Sequence, residues 1–394
     1  MRVLKMLSTV ALAGALALSA HAQTPAPDTG GSAAEQLAAD PLNTSAPYAF
    51  IMDGDSGQTL YCKSCETPVV PASMSKLMVY YLVFERIKEG RLKLSDEFKV
   101  SEHAWRTGGA GTEGSTMFLE LGSKVSVENL LRGAIIQSGN DACIVLAEGI
   151  AGSEEAFARE MTARAAALGM KNSHFANVTG LDDPGQRMSV ADIGRIGYHL
   201  IKDFPEFYPM FSEREFTWNG IRQPNRNPLL REMDGADGIK TGHLSVSGFG
   251  LVGSAVRDGK RRIIVLQGLG SESERRKEGP RVMRAAFNDF RSEEVVAPGA
   301  QVATADVWLG EEKSVPLVVA DGVTIGAHID ALKSARSIVH YKGPLYAPVK
   351  KGDVVGELVV TIAGAEPVTV PVTAGADVSK LGLVGRAMVG LRGE

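Results

Sequence analysis

From Ser73 to about Lys88 the chain reads as a helix that is apolar on nearly every face, with Leu77, Met78, Val79, Leu82, Val83 and Phe84 spread around the cylinder. A helix without a polar stripe must be enclosed by other elements, so the surrounding domain has to be large enough to bury it. The chain has 394 residues, about 2.6 times a typical domain of ~150, which allows two or more folded units. Its 44% hydrophobic and 22% charged residues are those of an ordinary globule. A net charge of −4 provides no basic field, so nucleic acid is not an expected partner. The 7 histidines show no ligand spacing, and no metal or cofactor is expected.

Residues 1–22 carry Arg2 and Lys5, an apolar run from Met6 to Ala20, and the small-x-small site Ala20-His21-Ala22. The run is shorter than the ~20 residues that span a bilayer, and the segment is expected to be a cleaved signal peptide rather than an anchor. Residues 23–44, rich in Pro, Gly and Ala, read as a flexible linker. From about residue 45 to 294 helical runs alternate with strands and turns. From about 295 to 378 short apolar strands separated by Gly-Asp, Asp-Gly and Ala-Gly turns predict a small all-β sandwich-like domain. Residues 379–394 place Leu381, Val384, Met388 and Leu391 on one helical face, an amphipathic tail suited at most to weak contact with a membrane surface.

Export permits disulfides. Cys62-Lys63-Ser64-Cys65 sits in a turn outside any βαβ unit, which leaves a local disulfide or two plain thiols ahead of a redox motif. Cys143 reads as a small core residue. Gly248-Phe249-Gly250-Leu251-Val252-Gly253 matches a dinucleotide fingerprint, yet the Asp258-Gly259 turn that follows makes it part of a β-hairpin.

Ser73 and Lys76 open the apolar helix at i,i+3 spacing, which puts a hydroxyl and an amine within reach of each other. A serine nucleophile needs an adjacent base, and a lysine serves only if burial or a second cation lowers its pKa. Alone, the pair is equally a helix cap and a surface lysine. Ser138-Gly139-Asn140 follows at the junction of two helical runs, and Asp237-Gly238-Ile239-Lys240-Thr241-Gly242-His243 reads as a turn leading into a strand. These two segments alone are a helix cap and an edge-strand lysine.

In this order the three segments resemble the S-x-x-K, S-x-N and K-T-G motifs of the penicillin-binding protein and serine β-lactamase superfamily. The flanks Gly180-Leu181-Asp182-Asp183-Pro184-Gly185-Gln186 and Arg222-Gln223-Pro224-Asn225-Arg226-Asn227 are similar to low-molecular-mass D-alanyl-D-alanine carboxypeptidases of the bacterial periplasm. The resemblance implies an α+β catalytic domain, an antiparallel sheet with helices plus a helical subdomain, followed by the β domain. It implies a periplasmic enzyme without cofactor that acts on the peptidoglycan stem peptide and is acylated by β-lactam antibiotics. Ser73 would be the nucleophile and Lys76 its base. Ser138 would relay a proton, Asn140 would hold Lys76 and the substrate amide, and Lys240 would lower the pKa of Lys76. Thr241 and Lys240 would take the terminal carboxylate. Ser73 and His243 would supply oxyanion N–H groups beside Gly242, with Arg275 and Arg226 as further cleft residues. Alternatives are an endopeptidase on cross-linked wall, a β-lactamase, and a non-catalytic wall-binding protein. Lys171 to Asp183 holds no glutamate for rapid deacylation.

Overall fold

The structure is a computed structural model that describes residues 40–112 and 114–385. The expected signal peptide, most of the linker and residues 386–394 of the tail lie outside the described residues. Two compact units are present, Leu42–Phe290 and a unit beginning at Arg291.

In the first unit, five strands form an antiparallel sheet in the order Thr59–Lys63, Tyr48–Asp53, Lys260–Leu269, Gly248–Arg257, Ala236–Leu244. Alternation along its strands divides two cores. Ile264 and Leu266 face Val282, Met283 and Ala286 of helix Glu272–Asn288, while Ile263 and Val265 face the larger cluster around helix Lys76–Lys88. Every residue from Lys76 to Phe84 is buried, as an all-round apolar helix requires. Helices Val127–Ile136, Asn140–Ala151 and Glu154–Ala167 enclose it with the sheet-side helix Val190–Asp203. The glycine-patterned segment is the first strand of the hairpin Gly248–Arg257/Lys260–Leu269.

The expected linker ends sooner than residue 44: Leu42 is buried in the sheet core, and the Thr44 hydroxyl donates to Glu278 at 2.9 Å. Cys62 and Cys65 are joined in a local disulfide.

The second unit contains a six-stranded sheet and a two-stranded sheet, whose inward residues Ala305, Val315, Leu317, Leu358 and Val372 form one core. The division falls a few residues before the expected 294. Strand Phe290–Val296 pairs with Val323–His328, whereas the Phe290 ring lies edge-on to Tyr61 at 5.6 Å in the first unit. Ser379 and Leu381 hydrogen-bond to Glu311 and Leu309, so the tail leaves the β unit as an extended segment, and residues 383–385 are helical.

Candidate active site

Three short pieces of backbone converge on one cleft of about 820 Å³. The first is a 3₁₀ turn, Ala72–Ser75, that feeds helix Lys76–Lys88. Ser73 thus precedes the α-helix instead of lying in its first turn. The tighter winding suits the pair, because residues three apart eclipse in a 3₁₀ turn. The Lys76 ammonium nitrogen lies 2.9 Å from Ser73 Oγ and donates to the Thr179 carbonyl at 2.7 Å. Lys76 is 0% exposed, which rules out the surface-lysine reading.

Thr179 was not singled out from the sequence. Asn177 Oδ1 accepts from the N–H groups of Thr179 and Gly180, shaping a turn that presents the carbonyl. Gly180 has φ +84°, and a Cβ there would stand 2.0 Å from the Ala72 carbonyl oxygen. This segment therefore presses against the Ser73 turn with no side chain between them. Asn140, expected to hold Lys76, is not among that lysine's hydrogen-bond partners in the described residues. Thr179 takes that place.

The second piece is the loop before helix Asn140–Ala151. Ser138 adopts φ +62°, is 2% exposed, and its hydroxyl lines the cleft without a partner among the described residues. A buried, unpaired hydroxyl held in a sparsely populated backbone region is costly, and such features cluster at functional sites. Asp141, completely buried, accepts from the Thr116 hydroxyl at 2.7 Å and from the N–H groups of Met117 and Leu119. It fastens the segment Ser115–Leu119 to the loop. The Asn140 N–H donates to the Ser115 carbonyl at 2.7 Å, and Arg226 Nη1 contacts Ser115 Oγ at 2.6 Å.

The third piece is the edge strand Ala236–Leu244, which includes the residues expected to form a turn. Lys240 is on an edge strand yet only 4% exposed, since the Ser73 turn covers it: a Cβ on Gly242 would meet Ala72 Cβ at 3.1 Å. Thr241, Gly242 and His243 line the cleft, with His243 stacked on Phe249 at 3.9 Å. Arg275 donates to the Gly242 carbonyl at 3.3 Å and to Glu272 at 3.2 Å. All ten expected site residues meet here, with Lys76 and Lys240 behind the cleft wall and the other eight lining it.

Electrostatics set the chemistry. Burial pulls Lys76 down to about 8, and Arg226 is the cation that adds to the effect, while Asp141 opposes it. Lys240 lies well below its ordinary range, again through burial first and then repulsion by Lys76 and Arg226. Each lysine disfavours the charged form of the other, and burial is the larger cause for both. The cleft offers a hydroxyl beside an amine that loses its proton near neutral pH, a second hydroxyl unpaired among the described residues, and a cationic end formed by Arg226 and Arg275 with Lys240 behind the wall. That combination suits acyl transfer to serine from a substrate with a free carboxylate.

Residues 34–270 match the family described as D-alanyl-D-alanine carboxypeptidase, and residues 290–380 match the penicillin-binding protein 5 C-terminal domain. The chain is 38% identical over 357 residues to D-alanyl-D-alanine carboxypeptidase DacC of Escherichia coli K12, covering 90% of this chain and 89% of that one. It is 32% identical to DacF of Bacillus subtilis, covering 87% and 88% of the two chains. Among solved structures, penicillin binding protein 5 of Haemophilus influenzae is similar with TM-score 0.67 and 34% identity, covering 86% of this chain and 99% of that one.

Proposed function

Since this chain belongs to the D-alanyl-D-alanine carboxypeptidase family, and as a serine carboxypeptidase releases the terminal D-alanine of peptidoglycan stem peptides, we propose that Ser73 is its nucleophile and Lys76 its general base. The observation that carries this assignment is the 2.9 Å contact between Ser73 Oγ and a buried Lys76 pulled down to about 8. Neutral Lys76 takes the Ser73 proton as Oγ attacks the carbonyl carbon of the penultimate D-alanine. The Thr179 carbonyl orients the amine through the reaction. Developing negative charge on the carbonyl oxygen is received by the backbone N–H groups of Ser73 and His243.

Collapse of the tetrahedral adduct breaks the C–N bond. The departing amine takes a proton by way of the Ser138 hydroxyl, which returns the one Lys76 acquired. Asn140 binds the substrate amide. The terminal carboxylate meets Thr241 and Arg275, with Lys240 buried behind Thr241 as a further positive group whose charged form the carboxylate favours. Water then attacks the acyl ester, with Lys76 again as base, and frees the shortened peptide. A penicillin opens on Ser73 by the same first step, but its acyl-enzyme has no glutamate from Lys171 to Asp183 to speed deacylation.

Incubation with a stem pentapeptide and a cross-linked muropeptide, with products identified by mass, tests this reading. Free D-alanine from the pentapeptide, lost in Ser73→Ala, and a penicilloyl adduct on Ser73 persisting for minutes are expected. Cleavage of the cross-link alone, or fast lactam turnover without an adduct, would overturn it.

The protein is exported to the periplasm, as supported by residues 1–22 and by the Cys62–Cys65 disulfide, a bond favoured in oxidising compartments. No helix among the described residues is long and apolar enough to cross a membrane. Leu383 and Val384, 80% and 77% exposed, support weak surface contact by the tail. Periplasmic protein beginning at Gln23, released from membranes by high salt, is the expected fractionation result; a retained leader or salt-resistant pelleting would contradict it.

A further inference from the structure

A second cavity, of about 440 Å³, lies beyond one end of the catalytic cleft. Its walls continue the two walls of the cleft. On one side the cleft is lined by Gly180 and Leu181, and the cavity by Arg187 of the same segment. On the other side the cleft is lined by Leu244 and Ser245, and the cavity by Val246 and Ser247, the next residues along the chain. Val69 and Val70, just ahead of the Ser73 turn, also line it. Two bonds fix this arrangement: Gln267 Nε2 donates to the carbonyls of Val70 at 3.3 Å and Ser247 at 3.0 Å.

Direction along the strand decides what reaches this cavity. Arg275, a cation that suits the terminal carboxylate, docks on the Gly242 carbonyl beside Thr241. A substrate anchored there by its C-terminus sends its upstream residues past Ser245 toward Val246. An extended peptide advances roughly 3.3 Å per residue, so its second and third residues ahead of the scissile bond are the ones that follow the wall from Ser245 to Val246.

Arg187 is the one charged residue of the cavity lining. Its Nη1 donates to the carbonyls of Asp183 and Gln186 at 2.8 and 2.7 Å, which fixes the guanidinium on the wall. Asp182 stands 3.9 Å away and is 52% exposed, too far and too solvated to hold Arg187 as a strong pair. Tyr48, Val69 and Val70 complete a surface with aliphatic walls and one cationic end.

We propose that this cavity is a substrate subsite in which Arg187 receives a carboxylate carried upstream of the scissile D-alanyl bond. The inference rests on the carboxypeptidase reading and assigns to that reaction a specificity-determining residue, Arg187. A charge-assisted contact of this kind on a partly exposed wall is worth about five- to tenfold in kcat/KM.

The test compares acetylated peptides ending in D-Ala-D-Ala that carry Glu or Gln at either of the two preceding positions, assayed by D-alanine release. Wild type should favour the Glu peptide about five- to tenfold at one position. Arg187→Gln should erase that preference while cleaving the Gln peptide at the wild-type rate, and Arg187→Lys should restore part of it. Val246→Glu, on an exposed position of the facing wall, should reverse it. Equal cleavage of Glu and Gln peptides by wild type, or a preference that survives Arg187→Gln, overturns the subsite while leaving the carboxypeptidase reading intact. Failure to release D-alanine from every peptide would overturn both.

Discussion

Replacing Gly180 by alanine tests the claim that close backbone approach behind the nucleophile sets the Ser73–Lys76 geometry. The added Cβ would lie 2.0 Å from the Ala72 carbonyl oxygen and 2.6 Å from Ser75 Oγ. Ordinary contact begins at 3.4 Å, so the two segments must separate by roughly 1.4 Å. Both bear on the reaction, since one carries Ser73 and the other presents the Thr179 carbonyl to Lys76. A misplacement of about 1 Å near reacting groups costs on the order of 100-fold in rate. The left-handed backbone adds about 1–2 kcal/mol of instability. Gly169 provides the control, because it has φ +75° with nothing within 4 Å of a built Cβ. Gly169→Ala should share the loss of stability and keep full activity. D-alanine release and thermal unfolding, measured on both variants, separate strain from displacement. Wild-type kcat/KM in a folded Gly180→Ala would refute the reasoning, as would equal loss of activity in the control.

The pH dependence of Ser73 reactivity is best read with a carboxylate-free sulfonylating reagent, which avoids the titration of Lys240. With Lys76 at about 8, modification should rise about tenfold per pH unit up to pH 7 and level off above 8; a flat profile between pH 6 and 8 would exclude Lys76 as the base. Arg226→Gln removes the cation that helps to depress Lys76, so the midpoint should move to higher pH and the rate at pH 7 should fall. A shift to lower pH would contradict the electrostatic assignment.

That these residue types gather at one cleft is legible in the sequence because each belongs to a short local pattern. Ser73 and Lys76 are brought together by one 3₁₀ turn, Ser138 and Asn140 stand at a helix start, and Lys240 to His243 lie along one strand. The hairpin at Asp258-Gly259 and the alternation of the β unit are equally local, governed by turn chemistry and a period of two. The bounds of elements were less visible. The linker ends before residue 44 because Leu42 packs in the core around helix Glu272–Asn288 and Thr44 bonds Glu278, more than 200 residues away in the chain.

The sequence by itself determined which segments would supply polar groups to one cleft and that the helix carrying Lys76 would be enclosed. Tertiary structure decided their states. Thr179, not Asn140, holds Lys76, because Gly180 allows a distant turn to touch Ala72. Burial takes an edge-strand lysine out of water and, with neighbouring cations, lowers its pKa. Arg187 and Val246, unremarkable where they stand in the chain, become opposite walls of one cavity. These outcomes depend on distances between segments far apart in sequence, and desolvation and Coulomb energy are functions of that spacing, which no local pattern encodes.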